Sequence, residues 1–185
     1  MKPPALETKR LVLYPAHPRL AKAASTFYTK NRAFLQPFEP ALTEEFCTVA
    51  VQKQLMRRDR ALAKADEGVR YWVFRKEDPD IAIGCVALNN IILGAFRSCF
   101  LAYKVDGELV RQGYGSEAVA AVVELALHGL NLHRVEANIM PRNAASLALA
   151  RKCGFTQEGL ARKYLCINGV WEDHIHMVRL NEEGE

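Results

Sequence analysis

A glycine-containing segment between an extended run and a helical run most constrains how this chain can fold. Residues 109–118 have the sequence L-V-R-Q-G-Y-G-S-E-A and lie between the apolar runs 98–105 and 119–130. Gly113 and Gly115 let the backbone approach a ligand closely, and N–H groups at a helix start favour anions. The segment therefore predicts a phosphate-binding loop, although a tight turn before a helix explains G-x-G equally well. No Walker A sequence follows, and the third glycine of a dinucleotide fingerprint is absent.

Hydrophobic periodicity predicts the element order β-α-α-β-β-β-α-β-α-β-β. Because consecutive strands precede a single helical crossover, we expect a mixed, mostly antiparallel sheet flanked by helices, an α/β fold or α+β by stricter naming. Thr43 is the expected N-cap of the second helix, prolines make 34–40 a loop, and Asn168-Gly169 predicts a hairpin turn. The expected strands are 10–14, 70–75, 81–88, 98–105, 133–140, 155–167 and 170–180, and the expected helices are 19–30, 43–66, 119–130 and 144–152.

Length and composition favour one domain that spans 1–185. Half of the 185 residues are hydrophobic and a quarter are charged, which is ordinary for a folded domain. A net charge of +4 gives no argument for nucleic-acid binding. Five cysteines without C-x-x-C spacing favour reduced thiols in a cytoplasmic protein. Because no apolar run reaches about 18 residues and the first twenty resemble no signal peptide, we expect no membrane segment.

A second segment carries a more specific pattern than the glycine loop does. Residues 143–159 have the sequence N-A-A-S-L-A-L-A-R-K-C-G-F-T-Q-E-G, in which N-x-x-S, a helix and G-F-x-x-E-G follow the glycine loop. This pattern resembles the GNAT acetyltransferase superfamily, and it is most similar to the RimJ/RimL-type ribosomal-protein-alanine N-acetyltransferases. Residues 8–11 (TKRL), 31–40 (NRAFLQPFEP) and 164–174 (YLCINGVWEDH) also resemble segments of that group, with the RimJ branch fitting best.

This resemblance implies that acetyl-CoA is the donor and that the central strands splay to admit it. We expect no metal, because His174 and His176 have no third ligand at a sensible spacing. The loop before the apolar helix is expected to hold the pyrophosphate, and strand 103–105 is expected to pair with the pantetheine arm. The implied donor-binding residues are Tyr103, Lys104, Val105, Arg111, Gln112, Gly113, Tyr114, Gly115, Ser116, Asn143 and Ser146.

The acceptor is expected to enter between the 31–40 segment and the 164–176 hairpin. Phe38, Glu39, Trp171, Asp173 and His174 are the candidate acceptor-binding residues. Glu39 is equally compatible with a solvated surface acid, and Trp171 with a packing residue of the hairpin. The candidate catalytic residues are Ser146, which we expect to hydrogen-bond or protonate the CoA thiolate, together with Asn143 and Glu39.

Three positions depart from the superfamily pattern. Val110 replaces the Gln or Arg that precedes the glycine loop, Ala150 replaces a tyrosine acid, and Phe100 replaces a glutamate on the third strand. A site without an evident strong base suits an α-amine better than a lysine. About 10% of an α-amine is neutral at pH 7, against about 0.04% of a lysine, a difference of roughly 3 kcal/mol.

The leading hypothesis is therefore acetylation of the N-terminal Ala or Ser of a ribosomal protein. Two alternatives remain open: a small amine acceptor (an amino acid, an aminoacyl nucleotide or an antibiotic) and an acyl-CoA-binding module without turnover. For proton acceptance, a water chain, Glu39, Asp173 and His174 all remain candidates. A monomer and a homodimer are equally compatible with the sequence.

Overall fold

The computed structural model describes residues 3–40 and 42–182, which form eight β-strands and four α-helices. The strands are β1 (Leu6–Glu7), β2 (Leu11–Pro15), β3 (Gly68–Arg75), β4 (Asp78–Ile92), β5 (Ser98–Val105), β6 (Arg134–Ile139), β7 (Thr156–Ile167) and β8 (Val170–Leu180). The helices are α1 (Ala21–Leu35), α2 (Val49–Lys64), α3 (Tyr114–Glu124) and α4 (Ala144–Lys152). Short 3-10 turns lie at Pro18–Leu20, Gln36–Phe38 and Gly107–Leu109, and a π-helical turn, Leu125–Gly129, continues α3.

All eight strands belong to one sheet in the order β1-β2-β3-β4-β5-β6-β8-β7. Every neighbouring pair is antiparallel except β5 and β6, which run parallel. The parallel pair is possible because α3 carries the chain back across the sheet between the two strands. The prediction of a mixed, mostly antiparallel sheet flanked by helices is therefore confirmed.

The two central strands separate after a short parallel ladder. Ser98, Cys99 and Phe100 of β5 pair with β6, and the last pair joins Phe100 to Glu136. The rest of β5, residues 101–105, pairs with β4 on one side and has no ladder partner on the other among the described strands. We call the space beyond the last pair the β5–β6 gap. It confirms the predicted splay of the central strands.

Different helices cover the two faces of the sheet, because β4 is apolar on both sides. Residues 82–88 are buried without interruption. Val86 belongs to the core cluster on the α3 face, together with Val119, whereas Cys85 belongs to the cluster on the α1 face, together with Phe27. A strand buried on both faces is an uninterrupted apolar run. The β5–β6 gap therefore opens between two packed helical layers.

The expected loop over 34–40 is partly wrong. Helix α1 runs five residues past its expected end and includes Phe34, and Gln36–Phe38 is a 3-10 turn. Pro37 is tolerated there because the first turn of a helix leaves its N–H positions unbonded. Packing of Phe34 extends the helix: a Cβ added to Gly107 would lie 2.8 Å from its ring.

Other boundaries also differ from expectation. Helix α2 begins at Val49 because Thr48 Oγ1 accepts a hydrogen bond from the Val51 N–H, whereas Thr43 Oγ1 accepts one from Phe46 within a turn. Helix α3 begins at Tyr114 instead of 119, and the short β1 was not expected. Strand β4 begins at Asp78, three residues before its expected start, and a short turn joins it to β3.

The Asn168-Gly169 turn is confirmed. Both residues have positive φ, 51° and 82°, which is the backbone that a two-residue hairpin with a primed turn requires. The turn joins β7 to β8 and projects this hairpin beside the 3-10 turn at Gln36–Phe38: Asn168 Nδ2 donates to the Gln36 carbonyl at 2.8 Å. Two segments that are far apart in sequence are thereby held together.

Candidate active site

The glycine loop presents free backbone N–H groups at the start of α3. Arg111 and Gly113 both adopt positive φ, 63° and 84°, and this turns the chain into the helix. The Glu117 N–H bonds to the Gly113 carbonyl, so the N–H groups of residues 114–116 precede the helical ladder. The first N–H groups of a helix have no partner within it and favour an anion. The loop therefore has the geometry of a phosphate-binding site.

Gly115 is required because three elements meet at its Cα. A Cβ added there would lie 2.8 Å from Leu149 Cδ1 of α4 and 3.0 Å from Val105 Cγ2 of β5. Such distances are shorter than ordinary van der Waals contact, so a side chain would push the loop away from the gap. The glycine thus keeps the start of α3 against the open edge of β5.

The N-terminal T-K-R-L motif holds the glycine loop, a role that the sequence did not reveal. Arg10 Nε donates to Glu117 Oε2 at 2.7 Å, Arg10 Nη1 donates to the Gln112 carbonyl at 2.9 Å, and the guanidinium lies 4.2 Å from the Tyr114 ring centre. Thr8 Oγ1 adds a 2.6 Å hydrogen bond to Glu117. Burial alone would raise the pKa of Glu117, but these hydrogen bonds outweigh it and lower the pKa.

The turn before the loop is fixed from α1. Asp106 accepts a hydrogen bond from Lys30 Nζ at 2.8 Å, and the Gly107 N–H donates to Asn31 Oδ1 at 2.9 Å. Burial would raise the pKa of Asp106, but the bond from Lys30 and the Glu108 N–H lower it below its usual value. A charged contact and a buried amide therefore determine where β5 ends.

The structure brings three of the predicted residues together at the start of α4. Asn143 is the N-cap of this helix, and its Oδ1 accepts from the Ser146 N–H at 3.1 Å. Ser146 Oγ donates to Tyr103 Oη at 2.8 Å, and Tyr103 Oη donates to the Ser146 carbonyl at 2.9 Å. Burial raises the pKa of Tyr103 to about 12, so its phenol stays protonated at neutral pH.

The Tyr103 hydroxyl was not expected at this site. The sequence suggested only a backbone role for Tyr103 in β5, and the superfamily tyrosine position, Ala150, is a buried core residue here. The phenol instead reaches Ser146 from another strand, 43 residues away in sequence. Alternation along β5 does place Tyr103 on the α4 side, but only the tertiary fold shows the contact.

Glu39 and Lys104 form an ion pair on the α1 face. Lys104 Nζ lies 2.9 Å from Glu39 Oε1, and both side chains are mostly buried. Val105 follows Lys104 and pairs with Gly84 of β4. Glu39 therefore lies beside the open end of β5, and it has a partner rather than being a solvated surface acid.

Arg142 links the two segments that were expected to flank the acceptor. Its Nη2 donates to the Pro37 carbonyl at 2.7 Å and to Glu172 Oε1 at 2.8 Å, and its guanidinium lies 5.4 Å from the Phe38 ring centre. Arg142 therefore holds the segment 36–39 against the β7–β8 hairpin. Phe38 lies at this junction through its contact with Arg142.

The remaining candidate residues lie on the hairpin. Trp171 is 61% exposed, Asp173 Oδ1 accepts from the Lys163 N–H at 2.8 Å, and His174 is buried with Nδ1 3.1 Å from the Glu172 carbonyl. Asp173 thus supports the irregular pairing near Lys163, which has a φ of 49°. Trp171 is therefore a surface side chain of the hairpin.

The other loop residues act mainly through their backbone. Arg111 and Gln112 are exposed, and Gln112 uses its carbonyl to accept from Arg10. The Ser116 carbonyl accepts from Cys153 Sγ at 3.6 Å. Within 3–40 and 42–182, no helix is long and apolar enough to cross a membrane, and no three His, Cys, Asp or Glu residues form a metal-binding group.

A mixed sheet that splays beside a helix-start anion site defines a class of protein, the acyl-CoA-dependent acyltransferases of the GNAT fold. Comparison with known proteins agrees: the family described as the acetyltransferase (GNAT) domain matches residues 10–156. The chain belongs to this family and is an acetyl-CoA-dependent N-acetyltransferase.

Two curated bacterial relatives match nearly the whole chain. The probable N-acetyltransferase YjcK of Bacillus subtilis is 36% identical over 180 residues, with 97% of this chain and 99% of the relative covered. The ribosomal protein uS5-alanine N-acetyltransferase of Escherichia coli is 32% identical over 170 residues, with 92% and 87% covered.

Two solved structures share the fold. The ribosomal-protein-S5-alanine acetyltransferase of Vibrio fischeri has a TM-score of 0.92 at 30% identity, covering 99% of this chain and 100% of that chain. RimJ of Mycobacterium smegmatis in complex with CoA-disulfide has a TM-score of 0.88 at 26% identity, covering 94% and 83%. The relatives and neighbours are thus of the RimJ/RimL type, as the sequence resemblance predicted.

Proposed function

We propose that this enzyme acetylates the N-terminal α-amine of a ribosomal protein whose first residue is alanine or serine. The observation that carries the proposal is the likeness of nearly the whole chain to the Vibrio fischeri S5-alanine acetyltransferase. The exposure of Trp171 on the β7–β8 hairpin is consistent with it, because a protein terminus needs an accessible surface to approach.

In this proposal, acetyl-CoA lies across the β5–β6 gap. The free N–H groups at the start of α3 bind its pyrophosphate, and the open edge of β5 at 101–105 offers backbone groups to the pantetheine arm. Acetyl-CoA fits this arrangement because Gly115 lets the start of α3 pack closely against Val105 and Leu149, which places the free N–H groups beside the open edge of β5. Arg10 keeps the loop in place from behind.

The amine attacks the thioester carbonyl carbon, the C–N bond forms, and the C–S bond then breaks. Ser146 lies at the start of α4, where its hydroxyl hydrogen-bonds the departing sulfur after turning from Tyr103. Tyr103 receives this bond in the structure and anchors the Ser146 carbonyl, so it holds the helix start in position. Positioning the amine against the thioester supplies much of the rate in such direct transfers.

An α-amine suits this site better than a lysine side chain. At pH 7 about a tenth of an α-amine is already neutral, whereas a lysine is almost entirely protonated. The proposal also implies a single catalytic domain that works in the cytoplasm, where ribosomal proteins are made. The acceptor could equally be recognised by a monomer or a homodimer.

The test is CoA thiol release from acetyl-CoA with a panel of acceptors. The panel contains peptides with free N-terminal Ala or Ser, the same peptides with blocked N-termini, polyamines, amino acids and aminoglycosides. We expect release only with free Ala or Ser termini. Release with the small amines alone would contradict the proposal and assign the enzyme to small-molecule acetylation.

A further inference from the structure

A buried carboxylate lies where β5 and β6 separate. Glu136 of β6 pairs with Phe100 of β5 in the last rung of the parallel ladder, and the residue is 8% exposed. Its neighbours Val135 and Ala137 face the core on the α3 side, so Glu136 points to the α1 face. This is the face that carries Lys104 and its partner Glu39, on the acceptor side of the gap.

Glu136 is bonded to a histidine whose second nitrogen is free. His176 Nδ1 lies 2.7 Å from Glu136 Oε1, whereas no described residue forms a hydrogen bond with His176 Nε2. A carboxylate at Nδ1 selects the tautomer that carries its proton on Nδ1, which leaves the Nε2 lone pair available. The side chain of His176 is 26% exposed, so a ligand can reach it.

A cluster of charged side chains surrounds the Glu136–His176 pair. Arg134 bonds to Glu136 at 2.8 Å and to Glu158 at 2.6 Å, so one guanidinium serves two carboxylates and the group carries a charge of −1. A proton on His176 would bring the group to neutrality. Tyr164 packs against the imidazole edge, with ring centres 5.2 Å apart.

The other side chains that the sequence suggested as proton acceptors are paired or buried. Glu39 is paired with Lys104, Asp173 accepts a backbone N–H, and His174 is 3% exposed, so an acceptor amine does not reach its ring. Lys104 also lies four residues beyond Phe100, about 13 Å along the strand. Among these candidates, His176 is the side chain that lies at the start of the β5–β6 gap and has a free nitrogen, Nε2.

We propose that His176 is the general base that takes the proton from the acceptor amine, and that Glu136 is a positioning residue that orients it. This inference rests on the proposed function only in requiring an amine acceptor. The amine nitrogen forms the new C–N bond, its proton moves to His176 Nε2, and the electrons of the broken C–S bond leave with the CoA sulfur. Ser146 hydrogen-bonds that sulfur.

The test compares His176→Gln and Glu136→Gln with His133→Gln, which removes a histidine outside the site. With the best acceptor of the panel, we expect His176→Gln to lower kcat about 100-fold at pH 7 with unchanged KM for acetyl-CoA. The ratio of parent kcat to His176→Gln kcat should fall about tenfold by pH 9.5. Nearly all of an α-amine is neutral at that pH, so it needs a base less. Glu136→Gln should lower kcat about tenfold with the same trend, and His133→Gln should stay within about twofold of the parent.

A purely structural role would behave differently. The groups facing the imidazole are Arg134 and Glu136 from β6, Glu158 and Tyr164 from β7, and His174 from β8; loss of their packing would lower kcat equally at every pH. A pH-independent deficit, or full kcat in His176→Gln, would overturn the proposal.

A second measurement does not depend on turnover. In the folded protein, side-chain ¹⁵N NMR should show neutral His176 protonated at Nδ1, and a proton on Nε2 instead would overturn the assignment. An enzyme that acetylates no amine of the panel would refute the proposed function, while the tautomer would still decide the assignment of His176.

Discussion

Arg10→Met tests whether the N-terminal motif controls acetyl-CoA binding. The substitution keeps an apolar stem against Tyr114 but removes the hydrogen bonds to Glu117 and to the Gln112 carbonyl. A charge-assisted hydrogen bond contributes about 1.5–3 kcal/mol, and because Arg10 is 40% exposed, solvent screening reduces this to about 1–2 kcal/mol. We therefore expect acetyl-CoA to bind about 5- to 30-fold more weakly.

The assay is isothermal titration calorimetry with CoA, supported by steady-state kinetics. The KM for acetyl-CoA should rise in parallel with Kd, whereas kcat should change less than threefold because the contacts of Arg10 are with the glycine loop and the first turn of α3. Lys9→Met is the matched control, since Lys9 is the exposed neighbour in the same motif. Unchanged CoA affinity in Arg10→Met, or equal weakening in Lys9→Met, would refute the reasoning.

Two further predictions concern the thiolate site and acid stability. Ser146→Ala should lower kcat about 10- to 100-fold at unchanged KM for acetyl-CoA, and Tyr103→Phe should lower kcat less. Stopped-flow measurement of CoA release gives kcat for both variants. An unchanged kcat in Ser146→Ala would exclude a role of Ser146 at the thiolate. The lowered pKa values of Glu117 and Asp106 stabilise the fold above the unfolded value near 4, and this contribution disappears as pH falls through the folded values. The free energy of unfolding in urea should therefore fall below about pH 4, and less steeply in Glu117→Gln; equal slopes would contradict this.

Elements defined by local backbone chemistry could be predicted from the sequence. The Asn168-Gly169 turn needs positive φ at both residues, and the α4 boundaries follow from the Asn143 cap and the glycine after Cys153. The predicted start of α2 was wrong because Thr43 and Thr48 are equally good N-caps in the sequence, and only packing selects between them.

Contacts between distant residues could not be predicted. Arg10 and Glu117 are 107 residues apart, and Glu136 and His176 are 40 apart. Periodicity gives the face of a strand on which a side chain lies, but not the neighbour that reaches it across the sheet. The superfamily pattern places a carboxylate at the position of Phe100, whereas Glu136 lies beside Phe100 on the next strand in space, which only the fold reveals.

The most direct measurement locates the acetyl group on a single peptide that carries both an N-terminal alanine and an internal lysine. After incubation with the enzyme and acetyl-CoA, tandem mass spectrometry should place the acetyl group on the α-amine of alanine and leave the lysine unmodified. Acetylation of the lysine, or none on the peptide alongside rapid acetylation of small amines, would contradict N-terminal acetylation by this enzyme.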